Sequence, residues 1–219
     1  MRVKQVVGRA VVIAVGAAMA WWSIRAARVI GAPPQGGGPA AVSAAPSTAP
    51  AAPAAPVAPP DDNDMLISKM RLQDIKGCTY FFAATETTIP QLHTVIPSTM
   101  ESLETATKEH QIEISGAPLL IYHGITQDMA KPFELEIGFP VKEGSKAAGD
   151  FKVREVPTFH CATVIYSGPV QRVGEAYQQL FMELMQAGMQ PTGETREMYL
   201  YWEAPESPNN IELIMAGVK

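Results

Sequence analysis

Glu212 sits inside Ile211-Glu212-Leu213-Ile214-Met215, an otherwise apolar run. A carboxylate buried there costs on the order of several kcal/mol unless it is paired or neutralised. Burial also raises its pKa, which suits a receptor for a cation or a general acid/base. Glu136, in Phe133-Glu134-Leu135-Glu136-Ile137, occupies a similar setting. A third feature is the strand Glu197-Met198-Tyr199-Leu200-Tyr201-Trp202-Glu203. Alternation places Met198, Leu200 and Trp202 on one face, and Glu197, Tyr199, Tyr201 and Glu203 on the other. The first set suits a helix-covered core. The second is an aromatic stripe ending in carboxylates, which fits a flat cationic ligand through stacking, cation–π contact and charge. The candidate ligand-binding residues are therefore Glu212, Tyr199, Tyr201, Glu136 and Glu197. If the protein is a hydrolase, Glu212 is the candidate catalytic base.

Other chemistries lack support in the chain. His93, His110, His123 and His160 have no metal-ligand spacing, and neither HExxH nor CxxC occurs. No phosphate-cradling glycine loop and no Ser-His-Asp arrangement is present, so neither a metal nor a cofactor is expected. Cys78 and Cys161 fall on corresponding strands, and the sequence leaves open whether they pair. All 22 acidic residues and only 12 of the 17 Lys and Arg follow position 60. A domain this acidic repels nucleic acid, so no nucleic-acid partner is expected.

The elements that must position these residues read as a duplication. Residues 65–142 and 151–219 each run strand, helix, strand, strand. In the first unit Ile67–Ala84 is extended. An amphipathic stretch follows, in which Pro97 predicts a kinked or late-starting helix. Strands lie around Leu119–His123 and Phe133–Val141. In the second unit Phe151–Tyr166 is extended. Ser167-Gly168-Pro169 starts a helix with Pro at its first position. Val170, Val173, Tyr177, Leu180, Phe181 and Leu184 form its stripe, and Gly188 ends it. Strands at Glu197–Glu203 and Ile211–Val218 close the chain. Gly116–Lys142 lies on Gly193–Lys219 without a gap, pairing Tyr122 with Tyr199 and Glu136 with Leu213. The fold class is α+β: an antiparallel sheet of duplicated β-α-β-β units, two helices on one face, and a pseudo-two-fold groove at the junction.

The pattern resembles the GyrI-like (gyrase-inhibitor-like) effector-binding domain of AraC-type and multidrug-sensing regulators, over about residues 65–219. The resemblance rests on Phe133–Val141, on Val164-Ile165-Tyr166-Ser167-Gly168-Pro169 leading into Ala176-Tyr177, on Glu197-Met198-Tyr199-Leu200 and on Ile211-Glu212-Leu213. It implies a small, often cationic or aromatic ligand in a central groove, with the motif glutamate at Glu212 and the motif aromatic at Tyr199. Some members resemble hydrolases of strained electrophiles. The chain departs from the pattern at Ala216-Gly217, where a Pro is usual, and at Pro97. No DNA-binding domain precedes the fold, so the transcription-factor role is not carried over.

Residues 1–31 read as an export segment. Met1–Arg9 is basic, Ala10–Ile24 is uncharged, and Arg25 and Arg28 follow. As a helix the uncharged run spans about 22 Å, short of a bilayer core, and counting from Val6 lengthens it. Trp21 and Trp22 suit a membrane interface, whereas Ala18-Met19-Ala20 suits signal cleavage. Anchor and cleaved signal peptide both imply export; a cytoplasmic tail is the third reading. Residues 32–64 form a Pro/Ala-rich linker, a spacer of up to roughly 90 Å. The functional expectation is an exported or membrane-tethered domain that binds a small hydrophobic or cationic ligand. Alternatives are a hydrolase using Glu212, a haem-binding protein of the SOUL type, and a structural domain with an empty groove.

Overall fold

A computed structural model describes residues 65–219 apart from Gln127; the export segment and linker of the sequence reading lie outside the described residues. In chain order the elements are β1 (Leu66–Ile67), β2 (Arg71–Ile75), β3 (Cys78–Thr87), α1 (Leu92–Glu109), β4 (Leu119–His123), β5 (Phe133–Val141), β6 (Lys152–Val156), β7 (Phe159–Ser167), α2 (Val173–Gln186), β8 (Pro191–Tyr201) and β9 (Ile211–Val218). One antiparallel sheet runs β1-β7-β9-β8-β4-β5-β3-β6, with β2 also on β7.

Each long extended segment of the sequence reading is interrupted, the first into β1, β2 and β3 and the second into β6 and β7, and pieces are exchanged. β2 leads into β3 yet pairs with β7, and β6 leads into β7 yet pairs with β3. The break before β3 falls at Gly77. A Cβ there would lie 2.3 Å from the Val156 carbonyl oxygen, so only glycine lets the two bends pass this closely.

Both helices pack on one face of the sheet. Ile96, Met100 and Leu103 of α1 and Val173, Tyr177 and Leu180 of α2 share a core with Leu120, Leu135, Ile214 and Ala216. The opposite face holds a smaller cluster of Tyr80, Phe82, Ile121, Phe159, Cys161 and Met215. Charged side chains cover part of it. The Arg154 guanidinium lies 5.5 Å from the Phe82 ring, and that of Arg196 lies 3.8 Å from Phe159. Thr192 and Phe159 together account for the glycine at 217, where a Cβ would stand 2.4 Å from the Thr192 hydroxyl oxygen and 2.9 Å from the Phe159 ring. Cys78 and Cys161 are both free thiols.

The sheet register follows the gap-free repeat. In the first unit Leu120 faces Ile137 and Tyr122 faces Leu135; at the corresponding places Glu197 faces Ile214 and Tyr199 faces Glu212. At the junction Leu120 pairs with Glu197, its own repeat equivalent, and Leu119↔Met198 mirrors Ile121↔Arg196. The pseudo-two-fold axis therefore passes between Leu120 and Glu197. The helices obey the same correspondence: Ile96, Met100, Leu103 and Thr107 match Val173, Tyr177, Leu180 and Leu184, all buried.

Two helix expectations are corrected. Of the two readings at Pro97, the late start is corrected: α1 begins at Leu92 and runs through the proline. Pro97 lies within the second turn, so its missing N–H removes a single early bond to a carbonyl, that of His93. Pro169 is not the first residue of α2. It caps a 3-10 turn, Val170–Arg172, that feeds the helix.

Candidate functional site

Glu197 is brought by β8 to the two-fold axis, on the helix-covered face. It is 3% exposed and is ringed by phenols. Tyr122 of β4 donates to its Oε2 at 2.6 Å, Tyr177 of α2 to its Oε1 at 2.5 Å, and Tyr199 of β8 to Oε2 at 3.3 Å. Burial pushes the Glu197 carboxyl up, and the three O–H donors pull it back part of the way. Burial, together with the Glu197 charge, pushes all three phenols up.

Glu212 is carried by β9, which lies between β7 and β8, so it is not on a solvated edge. It is 1% exposed, with Tyr199 and Tyr166 as its cross-strand neighbours. Its Oε1 has no hydrogen-bond partner among the described residues. Burial first, and the Glu197 charge second, raise its carboxyl well above the ordinary range. Aromatic rings complete the enclosure. Trp202 meets Tyr199 edge-on at 5.5 Å, Phe181 stacks on Tyr177 at 6.4 Å, and Phe133 tilts against Tyr122 at 6.1 Å. The buried indole nitrogen of Trp202 is also without a partner among the described residues.

The faces assigned to the β8 segment are reversed. Glu197 and Tyr199 point to the helices, and Met198 packs in the opposite cluster. The alternation then breaks. Tyr199 faces Glu212, but Tyr201 faces Ile211, so Leu200 is the extra residue of a β-bulge. The bulge turns Tyr201 out of the site. Its ring is 48% exposed and its hydroxyl bonds Glu203 at 2.8 Å. The same slip returns Trp202 to the helix side, beside Tyr199.

Glu136 also stands apart, because Leu135 and Ile137 take the helix face of β5 and leave it on the other. There it ion-pairs with Arg154 at 2.5 Å, while His123 lies 3.7 Å away. Of the five candidates, Glu212, Glu197 and Tyr199 come together; Glu136 and Tyr201 do not. Tyr122, Tyr177 and Trp202 are additions. The repeat carried a signal for Tyr122, since it pairs with Tyr199. In the sequence Tyr177 reads as a member of the apolar stripe and of the Ala176-Tyr177 helix motif, and neither reading marks it as a site residue.

The arrangement is a buried cluster of aromatic rings around two carboxylates. Among the described residues no basic side chain forms an ion pair with either of them. Chemically it can neutralise a positive charge between flat rings, or hold a proton.

The fold recurs in solved structures. The EcmrR C-terminal domain superposes with a TM-score of 0.59 at 20% identity, over 69% of this chain and 97% of that one. EcmrR in its DNA complex gives 0.58 at 19% identity, over 70% of this chain but only 58% of that chain, less than two thirds of its length. SAV2435 bound to tetraphenylphosphonium gives 0.51 at 13% identity, over 69% of this chain and 94% of that one. Comparison with curated proteins yields no match. The family profile described as the GyrI-like small molecule binding domain matches residues 74–216. With that match spanning more than half its length, and with the duplicated sheet and helices in place, the chain belongs to the GyrI-like small-molecule-binding family.

Proposed function

We propose that the domain binds a lipophilic, aromatic monocation in this cluster at the two-fold axis. The observation that carries this reading is the pair of buried carboxylates, Glu197 and Glu212, set among Tyr122, Tyr177, Tyr199 and Trp202 with no basic partner among the described residues. A desolvated carboxylate attracts a cation more strongly than an exposed one. Each ring face adds roughly 0.5–2 kcal/mol by cation–π contact. The two carboxylates are nearly sealed, so the ligand enters by displacing the aromatic cover of Phe181 and Trp202, both only half-buried. SAV2435, which shares the fold, was solved with tetraphenylphosphonium, and that cation is the natural probe. Calorimetry should show saturable binding. Glu212→Gln should weaken it by about 1.5–3 kcal/mol, the scale of a charge-assisted contact. A neutral tetra-aryl analogue should lose much less. Equal affinity for cation and neutral analogue in both proteins would sink the reading.

A second reading uses the same unpartnered Oε1. As a general base for water, Glu212 would make the protein a hydrolase of strained electrophiles. Turnover abolished by Glu212→Gln with binding retained would establish it.

We also propose that the domain works outside the cytoplasm, tethered or released through residues 1–64. The support is the uncharged run Ala10–Ile24 between basic flanks, followed by the Pro/Ala linker. Alkaline phosphatase fused after Pro60 should be active in a bacterial host. An expressed but inactive fusion would overturn this.

A further inference from the structure

Two acids in one buried cluster raise the question of where the second negative charge goes. At Glu197 three phenolic O–H groups receive it. Among the described residues no hydrogen bond to Glu212 is found, and its Oε1 is buried without a donor. The groups that face Glu212 are Tyr166 from β7, Tyr199 and Glu197 from β8, and Tyr177 from α2. Each of these phenols already directs its hydroxyl elsewhere. Tyr166 donates to the Pro169 carbonyl, and Tyr177 and Tyr199 donate to Glu197. Beyond Tyr166 lie Arg172 and Glu175, paired with each other at 2.8 Å.

A buried carboxylate next to a second one, with no donor and no cation, keeps its proton. We propose that Glu212 is protonated in the empty protein and surrenders that proton when a lipophilic cation enters, so the site exchanges one proton for one cation. This rests on the cation-binding reading above. In the exchange the Glu212 O–H bond breaks, its electron pair stays on the carboxylate, and the proton leaves to solvent. The site holds the same total charge before and after. Glu197, already supplied with donors, asks for no N–H from the ligand. A permanently charged phosphonium or quaternary ammonium therefore suffices, and a neutral ligand displaces no proton.

Linkage gives the sign. Affinity for a permanent cation rises with pH by about tenfold per unit while Glu212 is protonated in the empty protein, then levels off. The full-length protein is titrated with tetraphenylphosphonium, which has no ionisation of its own, from mildly acidic to mildly alkaline pH. At each pH two buffers of different ionisation enthalpy are compared. The expected result is release approaching one proton per cation at the acid end, vanishing at the alkaline end, with affinity climbing between. A protonated-carboxyl infrared band should disappear on saturation and be missing from Glu212→Gln, whose binding should be weaker, flat with pH and without proton release. If Glu212→Gln does not fold, the wild-type heats and infrared band decide alone. Binding with buffer-independent heat and flat affinity overturns the exchange and leaves the receptor reading standing. Proton release that persists in Glu212→Gln overturns the assignment to Glu212. No binding of the cation overturns both readings.

Discussion

Tyr177 reaches down from α2 to a carboxylate in the sheet, and its hydroxyl links the helix layer to the two-fold axis. Removing that hydroxyl in Tyr177→Phe leaves a buried oxygen of Glu197 short of one donor. It should cost about 1.5–3 kcal/mol of stability, the range for hydrogen bonds to charged groups, read from urea midpoints. The acids also set a pH dependence. Both Glu197 and Glu212 have folded-state pKa values above the unfolded carboxylate value. Their contribution is fully present below the unfolded pKa and is lost as pH rises through the folded values. Stability of the empty protein should therefore fall from mildly acidic toward neutral pH, and Glu212→Gln should flatten that fall and raise stability at neutral pH. A midpoint that climbs over the same window in wild type would contradict it. Glu212 was legible in the sequence because a charge among Ile, Leu and Met stands out. Glu136 carried the same signature, but its requirement is met by Arg154, a residue of β6 that no local pattern ties to β5.

At the scale of the element, the two helices end alike with unlike residues. At the end of α2, Gly188 has φ +69°, its N–H bonds the Met185 carbonyl, and the Met189 N–H bonds that of Leu184. At the end of α1, Gln111 holds φ +54°, with Gln111 bonded to Lys108 and Ile112 to Thr107. Both are Schellman closures, and left-handed backbone costs a residue with a Cβ roughly 1–2 kcal/mol. Gln111→Gly should therefore stabilise the protein by about 1 kcal/mol. Gly188→Ala, with nothing within 4 Å of the added Cβ, should destabilise it by a similar amount. Paired denaturation curves that shift the same way in both variants would refute this. The Gly188 closure could be foreseen from its residue type, and the one at Gln111 only from its repeat partner. The Leu200 bulge was not foreseeable, because an extra residue leaves no mark in a run where polar and apolar side chains continue to alternate. That one residue decides that Trp202 replaces Tyr201 beside the carboxylates.

At the scale of the whole molecule, the two units are interlocked by exchanged strands. β6 closes the β3 edge, where Val153 faces Phe81 and Arg154 faces Tyr80, and β2 closes the β7 edge. Residues 65–142 alone would lack β6 and would leave β4 without β8. That fragment should show no cooperative urea transition and no near-ultraviolet circular dichroism. A sharp two-state transition would show that the halves fold alone. The duplicated architecture and the one-sided helices were readable from element order and hydrophobic period. The exchange of β2 and β6 was not, because extended segments carry no label for the strand they will join.

The pairing of Leu120 with Glu197 has a consequence for how such a chain could have come about. Were the halves separate, identical subunits meeting as a homodimer, the residue at the axis would face its own copy. A glutamate there would be opposed by a glutamate, and like charges so close cannot both ionise; a leucine would be opposed by a leucine, leaving no charge at all. Joining the halves in one gene lets each side mutate independently. Leu120, Leu135 and Met100 are apolar at the places where the second unit carries Glu197, Glu212 and Tyr177. A single chain can therefore hold, at its two-fold axis, a lopsided site that two identical halves could not.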